Sequence, residues 1–213
     1  MLILRGWSPR VNQLQITGYE EKEMAQLYFR YGAMGSSKTA NALMVNYNYH
    51  ERGKNSIILK PRLENRDGAT IIRSRIGLQA ECMLVEDFFD EYRRKHKMIE
   101  QYDAIIVDEA QFLTAEQVDL LSDIVDFDKV PVICYGLRTD FQEKFFPGSA
   151  RLMEIADKIE EVKTVCWCGR KATCNARICD GKIVRDGEQV FMGGNESYIA
   201  LCRKHFKKGK LTI

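Results

Sequence analysis

Apolar positions along the chain fall into short blocks separated by amphipathic or polar segments. "AQLYFRYG" (25–32), "NSIILK" (55–60), "CMLV" (82–85), "YDAIIVDEAQF" (102–112) and "VPVICYGL" (130–137) read as strands, and "IEEVKTV" (159–165) alternates as one. Between them, "KTANALMVNYNYHER" (38–52) has a helical pattern closed by Gly53 as a C-cap, and "EDFFDEYRRKHKM" (86–98) and "SARLMEIAD" (149–157) have helical patterns too. Thr114 to Gln117 form a capping box that starts a further helix, with Val118, Leu121, Ile124 and Val125 on one side. The polar stretch from Pro61 through Gly77 is expected to be loop. Strands that are apolar throughout and alternate with helices imply an α/β fold, a mostly parallel sheet covered on both faces by helices.

The pattern changes at Cys166. From there to His205 only short strand-like pieces remain, "KIV" (182–184) and "EQVFM" (188–192), too small to build a core alone. Residues 1–23 show neither period and are expected to be an extension outside the fold, with Met24 a candidate start. The chain thus divides into an extension (1–23), an α/β body (24–162), a cysteine-rich module (163–208) and a tail (209–213).

Charge adds exclusions. The 32 basic and 30 acidic residues of the 213-residue chain nearly cancel, which argues against a nucleic-acid-binding surface, and the basic end after Cys202 reads as a solvated tail. No apolar run approaches the ~20 residues of a membrane span, and the opening "MLILRGWSPR" has no cleavable leader pattern, so a cytoplasmic protein with no membrane partner is expected. Seven cysteines, an odd number, fit thiols or metal ligands in a reducing compartment better than a disulfide framework.

The chemistry concentrates in three places. "GAMGSSKT" (Gly32, Ala33, Met34, Gly35, Ser36, Ser37, Lys38, Thr39) is one residue from the phosphate-loop pattern, with Ser37 in place of the second glycine. Such a loop aims backbone N–H groups at phosphates where a helix begins, while its Lys supplies charge and its hydroxyl reaches Mg²⁺. A left-handed backbone at Ser37 would cost roughly 1–2 kcal/mol, which binding tolerates. The competing reading is a small-residue turn with an exposed lysine.

"AIIVDEA" places Asp108 and Glu109 at a buried strand's end, where open α/β sheets bind ligands. Asp108 there can hold Mg²⁺ beside Lys38 and Thr39, and Glu109 can take a proton from an attacking hydroxyl. The bland alternative is a charged strand end feeding a helix. Cys166, Cys168, Cys202 and His205 offer four ligands as two close pairs, suited to a structural tetrahedral Zn²⁺ site; Cys174 and Cys179 compete as ligands, and unrelated buried thiols are the other reading. Leu137, Phe141 and Phe146 either line a pocket for a planar ligand or pack as core, and Tyr198 is either a site residue or packing. His50 and His96 read as surface residues.

Together, "LYFRYGAMGSSKT", "SRIGL" (74–78), "VDEAQFL" (107–113), "CYGLRTDF" (134–141), "TVCWCGRKA" (164–172), "GGNESY" and "CRKH" (193–205) resemble the zinc-containing, cytosolic type of thymidine kinase over about 24–205. The resemblance implies a P-loop nucleoside kinase with a small zinc-ribbon/lasso domain, transferring the γ-phosphoryl group of ATP to the 5′-hydroxyl of thymidine, as a homotetramer. Residue by residue, it implies that Gly32 to Thr39, with Asp108, Glu109, Ala110 and Gln111, hold ATP and Mg²⁺, and that Glu109 is the general base. It also implies that Met34, Leu137, Phe141, Phe146 and Tyr198 contact the nucleoside, that Gln189, Val190, Phe191, Met192 and Gly193 form a loop closing over thymine, and that Cys166, Cys168, Cys202 and His205 hold zinc. Two rival functions remain: a nucleic-acid-dependent P-loop ATPase with a zinc ribbon, and a non-catalytic ATP-binding regulator. The length leaves no room for a second motor domain, and the charge balance is wrong for the first of these.

Overall fold

The computed structural model describes residues 24–64, 68–190 and 197–212. The extension at 1–23 and the expected loop residues Phe191, Met192 and Gly193 lie outside them. In chain order the elements are β1 (Leu27–Tyr31), α1 (Lys38–Glu51), β2 (Ser56–Lys60), β3 (Ile71–Arg73), β4 (Gln79–Glu81), β5 (Met83–Leu84), α2 (Val85–Arg94), β6 (Ala104–Val107), α3 (Ala115–Asp123), β7 (Val132–Gly136), α4 (Pro147–Ile155), β8 (Lys158–Glu161), β9 (Cys174–Cys179), β10 (Lys182–Ile183), β11 (Tyr198–Leu201) and α5 (Arg203–Lys208).

Six strands form one parallel sheet in the order β5-β2-β6-β7-β1-β8. Side chains alternate across each strand, so the sheet separates two cores. Leu59, Ile105, Val107, Val132 and Cys134 pack on one face with Phe88 and Phe89 of α2, Val118 and Leu121 of α3, and Leu152 of α4. Ile58, Ile106, Ile133 and Tyr135 pack on the other with Ala42 and Leu43 of α1 and Ile72 of β3. The α/β fold is as the apolar blocks imply. Phosphate-loop topology follows from it, because β1 lies inside the sheet and delivers the chain at 32 to the carboxyl edge where β6 also ends.

Local signals set the boundaries. The Thr114 side chain accepts from the Gln117 N–H at 3.2 Å while the Gln117 side chain accepts from the Thr114 N–H at 3.0 Å, closing the expected box. Gly53, at φ +70°, donates to the His50 carbonyl and ends α1. Pro147 takes the first turn of α4, two residues earlier than the pattern suggests, because a proline there gives up no helical hydrogen bond.

Several expectations need correction. The stretch through Gly77 is not all loop: β3 and β4 pair antiparallel around 74–78. α2 stops at Arg94 and a 3-10 segment, His96–Gln101, follows, while α3 passes into a π turn at Ile124–Asp128 that still buries Ile124 and Val125. In the cysteine-rich module the central strand is β9, paired with β11 and β10, whereas residues 188–190 of "EQVFM" are irregular. No helix among the described residues is long and apolar enough to cross a membrane.

Candidate active site

The strand-to-helix turn after β1 is built from close approaches. Gly32 donates to the Gly136 carbonyl at 3.2 Å, and a Cβ on it would fall 2.4 Å from both Ser36 Oγ and the Val162 carbonyl oxygen. Gly35 turns at φ +73°, and Ser37 caps α1 at φ 60°, ψ 28°. The left-handed position that the missing glycine normally serves is therefore occupied by a serine, at a cost of about 1–2 kcal/mol. Lys38 is buried, and its ammonium donates to the carbonyls of Gly32 (3.1 Å) and Ala33 (3.0 Å) and to Ser36 Oγ (3.3 Å). Burial pushes its pKa down, opposed by the charges of Glu109 and Asp108. The Lys38 ammonium is thus held inside the turn by two backbone carbonyls and one hydroxyl.

Asp108 follows β6 and is buried behind Thr39, whose hydroxyl it holds by a hydrogen bond. Burial first, then the Glu109 charge, raises its pKa from 3.8 to about 7. The next residue turns the other way: Glu109 sits at φ 52°, ψ 37°, a left-handed conformation that costs a non-glycine residue energy and tends to mark functional sites. Gln111 donates to its carboxylate, and Gly136 leaves room for Gln111, since a Cβ there would be 2.9 Å from Gln111 Oε1.

Several of these groups border one cavity of about 490 Å³. Met34, Gly35, Ser36, Ser37, Lys38 and Thr39 line it with Glu109 and Gln111, and Leu137, Phe141, Phe146, Gln189, Val190 and Tyr198 form its apolar and polar remainder. Gly32, Ala33, Asp108 and Ala110 stand behind this wall and do not line it. Sequence reasoning missed further lining residues: Glu64, Phe112, Asp140, Asn175 and the hairpin tip Arg73–Gly77. For the tip a signal existed, a glycine between two short runs; for Asn175 there was none, since its partners are distant in sequence, and Asp140 accepts from the nearby Gln142 and Lys144 N–H groups as an ordinary turn residue would, while its bond from Gln189 spans 49 positions.

The cysteine-rich module is fastened to the cavity by such partners. Asn175 on β9, buried, accepts the Met34 N–H at 2.8 Å and donates to the Thr139 carbonyl at 2.8 Å. Arg177 lies 3.8 Å over the Phe141 ring, donates to the Tyr198 hydroxyl at 2.9 Å and to the carbonyls of Glu188 and Gln189. The Gln189 side chain donates to Asp140 at 2.8 Å.

Cys166, Cys168, Cys202 and His205 converge, with all four ligand atoms within 4.8 Å of one another. Tetrahedral zinc with its usual bond lengths spaces sulfur atoms about 3.8 Å apart and sulfur and nitrogen about 3.6 Å apart. Cys168 and Cys202 sulfurs are 3.9 Å apart, and His205 Nδ1 lies 3.5 Å from Cys166 and 3.6 Å from Cys202, so the donor set fits Zn²⁺. Trp167 stacks on the His205 ring at 4.2 Å. The competing cysteines are elsewhere: Cys174 donates to Glu143, and Cys179 is exposed at the end of β9.

The thymidine kinase family profile matches residues 25–206. The chain belongs to the thymidine kinase family. It is 46% identical over 194 residues to a thymidine kinase of Mannheimia succiniciproducens, covering 88% of this chain and 99% of that one. To a thymidine kinase of Escherichia coli O157:H7 it is 45% identical over 197 residues, covering 89% of this chain and 96% of that one. Among solved structures, the Pif1 helicase of Candida albicans superposes with a TM-score of 0.40 at 14% identity, over 67% of this chain and 37% of that chain, a likeness that carries no argument. In this thymidine kinase family member, the phosphate loop, the Glu109 carboxylate and the aromatic wall thus open onto one volume.

Proposed function

We propose that the chain phosphorylates thymidine, moving the γ-phosphoryl group of ATP to the 5′-hydroxyl and releasing ADP and thymidine monophosphate in the cytoplasm. The observation that carries this reading is the shared cavity: Lys38 and Glu109 border the same space as Phe141 and Tyr198. A nucleic-acid-dependent ATPase has no use for an apolar wall of that kind beside its general base.

The roles follow from chemistry. Residues 32 to 39 cradle the triphosphate through backbone N–H groups, with Lys38 moving from its carbonyls to the β/γ-phosphates. Thr39 and Asp108 are the residues that would hold Mg²⁺, which neutralises charge on the β- and γ-oxygens when bound. Phe141 and the 189–193 segment hold the base, and Tyr198, oriented by Arg177, faces the nucleoside. Glu109 accepts the 5′-hydroxyl proton as the new oxygen–phosphorus bond forms and the electron pair of the broken bond leaves on ADP. Most of the rate comes from positioning and charge stabilisation. Zinc on Cys166, Cys168, Cys202 and His205 is structural, closing the module that carries Asn175 and Arg177, and the working unit is a homotetramer.

A coupled assay tests the reading: with ATP and Mg²⁺, thymidine-dependent release of ADP is expected, and Glu109→Gln should lower kcat by roughly 10²–10⁴-fold while ATP still binds. ATP hydrolysis stimulated by DNA and indifferent to thymidine would overturn it.

A further inference from the structure

The β3–β4 hairpin is built to hold one side chain over the phosphate loop. Its tip is locked by hydrogen bonds: Ser74 N–H donates to the Leu78 carbonyl at 2.7 Å, Gly77 N–H to the Ser74 carbonyl at 3.0 Å, and Leu78 N–H to Ser74 Oγ at 3.0 Å. Gly77, at φ +88°, allows the reversal. The base is locked as well. Lys60, at the end of β2 and only 1% exposed, donates its ammonium to the carbonyls of Gly68 and Ile71, and Ile72 is buried in the core with Ile106 and Tyr135. A buried lysine spent on two backbone carbonyls is a costly clamp, and it fixes the base of the hairpin whose tip lines the same cavity as residues 34 to 38.

Between the two locks stands Arg75. Its Nη1 lies 3.7 Å from where a Cβ on Gly35 would be, so the guanidinium rests against the crown of the loop. Arg75 lines the same cavity as Lys38 and Glu109 and forms no ion pair among the described residues. Its charge is also one of the influences, after burial, that lowers the Lys38 pKa. Two cations held toward each other across a site make sense when a polyanion occupies the space between them.

We propose that Arg75 is a catalytic residue that grips the γ-phosphoryl group from the hairpin side and stabilises the charge on its non-bridging oxygens during transfer. This rests on the phosphoryl-transfer reading above. In that step the 5′-oxygen bonds to the γ-phosphorus, the bond to the β–γ bridging oxygen breaks with its electron pair going to ADP, and the proton goes to Glu109. Arg75 stays protonated throughout. The planar fork of a guanidinium can follow two phosphoryl oxygens at once, which an ammonium cannot.

The test compares wild-type protein, Arg75→Ala and Arg75→Lys by steady-state kinetics, by calorimetric binding of ATP, ADP and thymidine, and by melting temperature. A kcat loss of roughly a hundredfold or more is expected for Arg75→Ala, with ADP and thymidine affinity and melting temperature unchanged and ATP affinity reduced. Arg75→Lys should recover only a small part of the rate. Wild-type kcat in Arg75→Ala overturns the proposal. So does an equal loss of ATP and ADP affinity with a lowered melting temperature, which would mean a merely structural hairpin. Wild-type protein that releases no ADP in response to thymidine would sink the phosphoryl-transfer reading, and this proposal with it.

Discussion

The Gln111 side chain donates to the Glu109 carboxylate at 2.5 Å and accepts the Leu137 N–H at 2.9 Å. Gln111 is almost fully buried, so it pins a left-handed, otherwise strained carboxylate to the end of β7. Gln111→Ala should therefore misplace the base without touching the phosphate loop. The expected result is a kcat reduced roughly tenfold to a hundredfold with the KM for ATP little changed, since misplacing a reacting group by about 1 Å costs rate on that scale. A matching rise in the KM for ATP would show that Gln111 acts on the loop instead.

The raised pKa of Asp108 makes stability depend on pH. Its carboxyl ionises near about 7 in the folded protein but near ~3.9 in an unfolded chain, so between these values the folded state holds a proton that the unfolded state has released. Ligand-free protein should lose stability as pH rises from about 4 to about 7, while affinity for Mg²⁺ with ATP should rise over the upper part of the same range as that proton leaves. Urea denaturation of wild type and Asp108→Asn across this range would show it. The asparagine variant should lack this part of the slope and should not turn over. Parallel stability profiles for the two proteins would contradict the assignment.

The body of this fold is legible because its information is local. Parallel strands buried on both faces stay apolar throughout, and the capping box at Thr114 and the glycine after α1 act within a few residues. The strand-to-helix turn could be read despite Ser37 because the motif depends on a backbone conformation that the serine adopts in place of glycine, at φ 60°. What could not be read depends on partners far apart in sequence. Asn175 meets Met34 across 141 positions and Gln189 meets Asp140 across 49, and no period or motif encodes either. The β3–β4 hairpin was obscured because its strands are three residues each, too short to display a period.

Zinc should be separable from chemistry but not from binding. The four ligands close the module from which Asn175 and Arg177 reach the cavity, so chelation should lower the melting temperature and raise the KM for thymidine more than it lowers kcat. Atomic emission should find a full equivalent of zinc per chain in wild type and in Cys179→Ser, and little in Cys168→Ser. Retention of zinc by Cys168→Ser, or its loss from Cys179→Ser, would assign the ligands differently.

Asn175 offers a sharper test of how the module and the loop communicate. Its amide serves one donor, Met34 N–H, and one acceptor, the Thr139 carbonyl; Asn175 and Thr139 are buried and Met34 is half-buried. Asn175→Ala leaves both backbone groups unpaired and should cost about 1–3 kcal/mol of stability. Asn175→Asp keeps an acceptor for Met34 but cannot donate to Thr139, and it adds a negative charge to the cavity that Lys38 and Glu109 line. If Asn175 only packs, the two variants should weaken ATP binding equally. If it shapes the phosphate loop through Met34, Asn175→Ala should raise the KM for ATP beyond what its loss of stability explains, whereas in Asn175→Asp, which keeps that acceptor, the rise should be mainly electrostatic and should shrink as the salt concentration is raised. A rise in Asn175→Asp that salt does not change would assign the effect to the lost bond to Thr139 instead.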